Sequence, residues 1–563
     1  MKKSIYILLF LLIFPAWVGA VTLTACEAGN GDGLCWCNDD ANTNCDPDDD
    51  GDDSSDWTGY ATFVDLRNAQ TLAANDVVDG GGNTFREEWV TDGGGSSGNQ
   101  VVFQNATISG ADIITGNWVE NSGEWEDDSI DTEVDMVIVD GVIWTEGTAG
   151  SLGAGEWDWT SADGGTLFIY GNPAALVVEA AQRDRAFNTA SKNYLTLSGL
   201  TITGTNNSTE GAIRISAGGT GIIIDGCTVT KNAGYGIRRD NALLDTVTIT
   251  DSHFTYNGMA GVNLGATANV NINISGSEFS NNGWRPGYGS GSGCGLVGSI
   301  TSGSVHDNTF SANGSGGTDP YEHGLYLGVS ATSTVTVYNN LFSDQTKGNG
   351  LKLIQSAEAY NNMILDNEHS GIECGQNDAV NVVYNIHNNV FHGNGGTGAK
   401  EQTQGAGTIS LTFNNNTLYK NSTTGQEFRV FDDIEVLTVK NNIFYATDAR
   451  RTVVFPTLTG TVAINNNIHW RADGNPYIYY NDTETNWATW QGLGFDAAGL
   501  NADPLLNADY TLKPGSPAKN SGDVTLDATR LQPTTTFGVG SNGLTMEDIT
   551  IGAYGVYRGA AGM

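Results

Sequence analysis

The sequence predicts an all-β chain wound into a parallel-stranded solenoid, and three observations predict it. A glycine followed by an apolar-x-apolar step recurs at Gly236-Ile237-Arg238-Arg239, Gly261-Val262-Asn263-Leu264, Gly295-Leu296-Val297-Gly298, Gly324-Leu325-Tyr326-Leu327, Gly350-Leu351-Lys352-Leu353 and Gly371-Ile372-Glu373-Cys374. A second phrase, Asn-Asn-x-Phe, falls between these openings, as at Asn339-Asn340-Leu341-Phe342, Asn388-Asn389-Val390-Phe391 and Asn441-Asn442-Ile443-Phe444. The unit returns at roughly 21 to 34 residues, with β-branched alternation inside it and glycine or asparagine between strands. Ala212-Ile213-Arg214-Ile215 opens the series; weaker copies at Gly398-Ala399-Lys400-Glu401 and Glu427-Phe428-Arg429-Val430 follow the strong ones.

One coil of short strands cannot bury its apolar face, but stacked coils share an interior and pair their backbones at about 4.8 Å. Stacking then predicts an aliphatic column of Ile213, Ile237, Val262, Leu296, Leu325, Leu351 and Ile372, and an aromatic column of Phe254, Phe279, Phe310, Phe342, Phe391 and Phe444. Asn308, Asn340, Asn362, Asn389, Asn416, Asn442 and Asn467 are expected to form an amide ladder at a tight turn, where asparagine also tolerates the left-handed conformation. This pattern resembles the right-handed parallel β-helix family, the architecture of pectate lyases, alginate lyases and mannuronan epimerases. The resemblance spans roughly residues 60–556 and implies the fold more than a function, because solenoids host many roles.

Residues 1–20 read as a secretory signal: Lys2 and Lys3, an apolar run from Ile5 to Phe14, and Val18-Gly19-Ala20 as a small-residue cleavage site. The alternative is a lipoprotein box at Leu23-Thr24-Ala25-Cys26. Either way the protein is expected outside the cytoplasm, and no later stretch is long and apolar enough to span a membrane. Residues 21–58 form a Cys- and Asp-rich segment. Cys26, Cys35, Cys37 and Cys45 predict two disulfides in preference to a metal site, since no histidine lies nearby and the spacing is not CxxC. Asp46, Asp48, Asp50 and Asp52 alternate around Gly51 and suit Ca²⁺, a hard cation needing six or more oxygens; a solvated acidic linker is the alternative. Residues 59–563 are read as one β-helix with cap coils first and a closing segment last. The tryptophans Trp118, Trp125, Trp144, Trp157 and Trp159 are expected to fill a core or cap. Trp490, Asp503-Pro504-Leu505 and Gly515-Ser516-Pro517-Ala518 resemble the terminal segment of exported β-helix proteins.

Cys227, Cys294 and Cys374 are read as buried small hydrophobes. A formal net charge of −39 disfavours nucleic acid and anionic membrane as partners. Aliphatic and aromatic residues are too regularly placed for a disordered acidic chain. A monomer is expected.

Register reveals where chemistry can sit. The middle residue of each apolar-x-apolar step must point outward. That column runs Arg214, Arg238, Asn263, Val297, Tyr326, Lys352, Glu373, Lys400 and Arg429, five of nine being basic in a chain with 25 Lys and Arg against 64 Asp and Glu. Such a stripe suits a polyuronate; alternatively it relieves repulsion among carboxylates. Two insertions precede this strand in neighbouring coils. One carries Trp284 and Arg285; the other carries Asp319-Pro320-Tyr321-Glu322-His323. Insertions in a solenoid map to a functional face. Asp319-Pro320-Tyr321-Glu322 loosely resembles the Asp-Pro-His-Glu/Asp motif of mannuronan C5-epimerases, with tyrosine where that motif has histidine. β-Elimination on a uronate polymer is the chemistry that fits best. Arg285 or Arg238 would grip the carboxylate, and His323, Tyr326 or Lys352 would remove the C5 proton. Glu373, Lys400, Arg214, Tyr321 and Trp284 would line the substrate. A glycoside hydrolase using Asp319 or Glu322 with Glu373, and a non-catalytic glycan-binding or structural rod, are the alternatives.

Overall fold

The computed structural model describes residues 33–37 and 57–522, apart from residues 117, 162–163, 217–218, 241–243, 286–292, 317–321, 329–332, 376–379, 403–406, 423–424, 432–433, 448–449, 457 and 520. The signal segment, Cys26, Cys45, the Asp46–Asp52 run, Asp319 and Tyr321 lie outside these residues.

Each coil contributes one strand to each of three sheets, called I, II and III in the order the chain visits them. Thr220–Asp225, Thr228–Thr230 and Tyr235–Arg239 make one such coil. Among the described residues the sheets reach 15, 13 and 14 strands, and coil-to-coil pairing is parallel throughout the body. Antiparallel pairs close the ends: Leu34–Cys37 on Trp57–Tyr60, and Ile478–Tyr480 on Thr483–Thr485. Helix Phe63–Ala69 covers one end of the core, with Phe63 stacked 5.0 Å from Trp89. Helix Trp487–Gly492 covers the other, where buried Trp490 lies parallel to Phe455.

The columns form as the repeat dictates. Ile213, Ile237, Val262, Leu296, Leu325, Leu351 and Ile372 pair successively in sheet III, all buried. In sheet II, Phe254, Phe279, Phe310 and Phe342 stack with centroids 5.2, 4.7 and 4.8 Å apart. Ile364 and Leu418 then take the equivalent places before Phe391 and Phe444. Asn308, Asn340, Asn362, Asn389, Asn416, Asn442 and Asn467 form the ladder, each Nδ2 donating to the Oδ1 of the next. Asp496 ends it, accepting from Asn467, His469 and Trp490. Within Asn-Asn the labour is divided. The second residue ladders, while the first takes the left-handed turn, with φ of 55°, 58° and 58° at Asn339, Asn388 and Asn441.

A second ladder at the opposite end of sheet II was not anticipated. It runs Asn232, Asn257, Asn282, Asn313, Gln345, Asn367, Asn394 and Asn421, each accepting from its predecessor. It explains the glycine that opens each repeat: a Cβ on Gly324 would lie 2.6 Å from Gly350 O and 3.2 Å from the Gln345 amide nitrogen.

This ladder ends on Glu427, whose Oε2 accepts from the Asn421 backbone and side chain at 3.2 and 2.7 Å. Glu427 is fully buried and its Oε1 has no partner among the described residues. Burial raises its carboxyl from 4.5 to about 8. A folded-state value above the unfolded one means that this group's contribution is complete below about pH 4.5 and is lost as pH rises towards 8. Glu427→Gln keeps an acceptor for Asn421 and removes the titration. Its stability relative to the native chain should therefore rise between pH 4.5 and 8, by on the order of a few kcal/mol at the upper end. Parallel unfolding profiles for the two proteins across that range would contradict a neutral Glu427.

One segment departs from the single continuous helix expected over residues 59–563. Between Ala111–Ile113 and Val178–Ala181 the chain leaves the coil and builds two small sheets, one of four antiparallel strands and one of five that is antiparallel except where Thr145–Glu146 runs parallel to Glu156–Thr160. Trp157 is the buried centre of its separate core, and Trp118, Trp125, Trp144 and Trp159 pack around it. These tryptophans do fill a core, but not the solenoid's. The glycine-led period is absent here, so nothing holds the strands to the solenoid step.

Candidate functional site

The outward column of sheet III is in register, residue on residue. Arg214 pairs with Arg238, then Asn263, Val297, Tyr326, Lys352, Glu373, Lys400 and Arg429 follow in unbroken succession. Apolar neighbours point inward on either side, so the pleat turns these side chains to the outer face.

Its sixth to eighth members form a Lys-Glu-Lys cluster. Glu373 meets Lys352 through Oε1 and Lys400 through Oε2 at 2.8 Å, and the side chains of Glu373, Lys352 and Lys400 are only 9%, 13% and 19% exposed. Asn349 Nδ2 donates to Glu373 Oε2 at 3.0 Å. Burial pushes the Glu373 carboxyl up, but the two ammonium groups and their hydrogen bonds outweigh it and hold the carboxyl down at about 2. Glu373 is therefore an ionised bridge, unsuited to act as a general acid. Together with the burial of Glu322, this weighs against a glycoside-hydrolase pair. It also means that part of the basic stripe serves to balance charge within the protein.

His323 lies beneath this cluster, 1% exposed, its ring edge-on to Tyr326 with centroids 5.4 Å apart. The Asn349 backbone N–H donates to its Nδ1 at 2.9 Å, so the neutral ring carries its proton on Nε2, which has no partner among the described residues. Burial, then the charge of Lys352, lower its pKa to about 3. In this conformation His323 presents neither a lone pair nor an open path to a substrate proton. Gly348 permits the contact: a Cβ there would fall 2.2 Å from Glu322 O and 2.8 Å from His323 Nδ1. Tyr326, half-buried and in register with Lys352, is left as the accessible base candidate.

The remaining residues divide. Arg214 is held by Asp240 at 2.8 Å. Arg238 makes no ion pair among the described residues and lies 5.7 Å from the Tyr235 ring centroid. Arg285 and Trp284 are drawn to the antiparallel excursion. Arg285 pairs with Asp135, and Trp284 packs on Met136, Ile138, Ala181 and Ala233 while donating to Tyr256 O at 2.8 Å. Cys227, Cys294 and Cys374 are buried thiols, as expected.

Three features were missed. Asn349 links His323 to Glu373. Arg451, from the coil after Arg429, faces Tyr479 with its Cζ 4.1 Å from the ring centroid. On sheet I, His306, Tyr338, Tyr360 and His387 form one outer stack with centroids 4.6, 4.9 and 5.1 Å apart, so two histidines 81 residues apart in sequence share a column. Its signal was an aromatic ring two residues before each of four successive ladder asparagines, Asn308, Asn340, Asn362 and Asn389.

The family model described as "Right handed beta helix region" matches residues 185–359. No curated protein sequence matches the chain. Among solved structures, the complex of XylC with xylose is 13% identical, with a TM-score of 0.48 over 74% of this chain and 82% of that one. A pectate lyase, Pel9A, is 14% identical, with a TM-score of 0.33 over 66% of this chain and 88% of that one. A glycoside hydrolase is 10% identical, with a TM-score of 0.30 over 72% and 86%. The matched segment lies wholly within the three-sheet coil, which keeps its register on both sides of it: the protein is built around a right-handed parallel β-helix region.

Proposed function

We propose that the outer face of sheet III is a binding track for an acidic polysaccharide outside the cytoplasm. One observation carries this reading. In a chain of net charge −39, five of the nine residues in the outward column of this sheet are basic, and Arg238 and Arg429 among them meet no carboxylate among the described residues. A fixed row of cations suits a polymer whose charges also repeat.

A second reading, uronate β-elimination, is favoured by Tyr326 standing beside Lys352. Tyr326 as its phenolate would take the C5 proton while neighbouring cations neutralise the substrate carboxylate; the C4–O bond to the next sugar then breaks, a C4=C5 double bond forms, and the phenol so produced returns the proton to the departing oxygen. His323 would be a positioning residue beneath the phenol. Native protein and Tyr326→Phe, incubated with a panel of polyuronates, separate the two. Both proteins should bind, and an unsaturated product absorbing in the ultraviolet, formed by the native protein alone, would establish the lyase. Binding without product leaves a glycan-binding rod. No binding to any polyuronate would overturn the track itself.

A further inference from the structure

We infer that Arg429 and Arg451 form an oxyanion subsite at the end of this track, taking the carboxylate of a uronate or the sulfate ester of a sulfated sugar; the assignment rests on the reading of sheet III as a glycan-binding face. Strands Gln426–Arg429 and Arg451–Phe455 are paired neighbours, with Arg429 opposite Val454 and Arg451 three places earlier, opposite Gln426; the Arg451 guanidinium returns to the outward column by lying over Tyr479, which follows Val454 there. Arg429 also follows Lys400 directly in the outward column, so the subsite continues the stripe.

The two guanidinium groups are held from behind by rings. Arg429 Cζ lies 3.5 Å from the Phe431 ring centroid, and Arg451 Cζ lies 4.1 Å from that of Tyr479 and 5.7 Å from that of Tyr477. Stacking on a ring occupies a face of the guanidinium plane and leaves its N–H edge available for planar, two-pronged recognition of an oxyanion.

Their electrostatics differ from those of most arginines here, although Arg238 also lacks an ion pair among the described residues, and Arg67 and Arg239 donate to backbone and neutral side-chain oxygens. Arg86, Arg183, Arg185, Arg214, Arg285 and Arg471 each meet a carboxylate. Among the described residues Arg429 and Arg451 meet none, although the chain has 64 acidic side chains to offer. Arg429 Nε is buried without a hydrogen-bond partner. Burial, then repulsion from Arg451, lower the Arg429 pKa, so the pair stands as two uncompensated like charges. A bound oxyanion, meeting the terminal nitrogens of the two guanidinium groups, would supply the missing charge.

The test uses the full chain and three polymers: oligogalacturonate, dextran sulfate and plain dextran. Native protein, Arg429→Gln/Arg451→Gln and Arg429→Lys/Arg451→Lys are titrated by calorimetry, with thermal midpoints as the check on folding. The glutamine variant should lose about 10- to 100-fold in affinity for the polymer that fits, the loss expected for charge-assisted hydrogen bonds. The lysine variant should recover only part of it, because an ammonium cannot reproduce the fork. The polymer showing the loss identifies carboxylate or sulfate. Native-like affinity in a folded glutamine variant, while the native protein binds, would discard the subsite and leave the track standing. Full recovery by lysine would reduce it to diffuse charge and overturn it. Failure of the native protein to bind either anionic polymer would remove track and subsite alike.

Discussion

Replacing Phe342 by alanine should lower the unfolding free energy by about 3 to 5 kcal/mol. The ring is fully buried, lies 4.8 Å from Phe310 on one side and is followed by Ile364 on the other. Loss of its contacts is only part of the effect. The strands above and below are held by their own hydrogen bonds at the sheet spacing, so the coil cannot collapse onto the void, and an unrelieved cavity is the costly case. Phe342→Leu, with a branched aliphatic like Ile364 in the next coil, should lose much less. Denaturant unfolding of the three proteins checks this. A loss under about 1 kcal/mol for the alanine variant would mean that the column can repack.

Glu373→Gln should destabilise the fold by about 3 kcal/mol or more near neutral pH, because it leaves Lys352 and Lys400 close together, largely buried and without their shared carboxylate. The sign with pH follows from the lowered carboxyl. A folded value of about 2 against 4.5 for the ordinary group places its contribution above pH 4.5 and removes it as the pH falls through 2. The gap between native and variant stability should therefore be widest above pH 5 and narrow in acid. A gap that stays constant from pH 6 to 2 would show that the carboxylate is not what holds the lysines.

Much of this architecture is legible in the sequence because a solenoid copies its own register. Once Gly324-Leu325-Tyr326-Leu327 aligns with Gly350-Leu351-Lys352-Leu353, the pairing of Leu325 with Leu351 and of Tyr326 with Lys352 follows, and the structure has both. The same logic predicted the asparagine ladder through Asn340 and Asn389. The second ladder was hidden because its residue stands three places after the core ring, as in Phe254 and Asn257 or Phe310 and Asn313, and Gln345 breaks the residue type. Tyr338 and His387 escaped notice for a related reason: their rings stack alike, but a tyrosine and a histidine do not read as repeats of one another.

The site was legible only in part, and the divide is physical. Strand alternation dictates where Lys352 and Glu373 point, whereas His323, Trp284 and Arg285 precede their strands in insertions whose path no period constrains. His323 turns inward onto Asn349, and Arg285 turns to Asp135 in the antiparallel excursion. That excursion has its own core and no repeat, so the sequence offered no register from which to place it. Five basic residues in nine positions also did not disclose that one glutamate would bind two of the lysines.

The central claim is that charge along sheet III holds an acidic polymer, and the most direct measurement is affinity for a polyuronate as a function of added salt. Exposed charge contacts are screened within about 8 to 10 Å at physiological ionic strength, so a track of this kind weakens steadily as salt rises. Binding should fall with increasing salt and should fall further in Arg238→Ala, whose guanidinium has no carboxylate partner among the described residues. Affinity unchanged by salt, or equal affinity for an uncharged polymer of the same length, would contradict it.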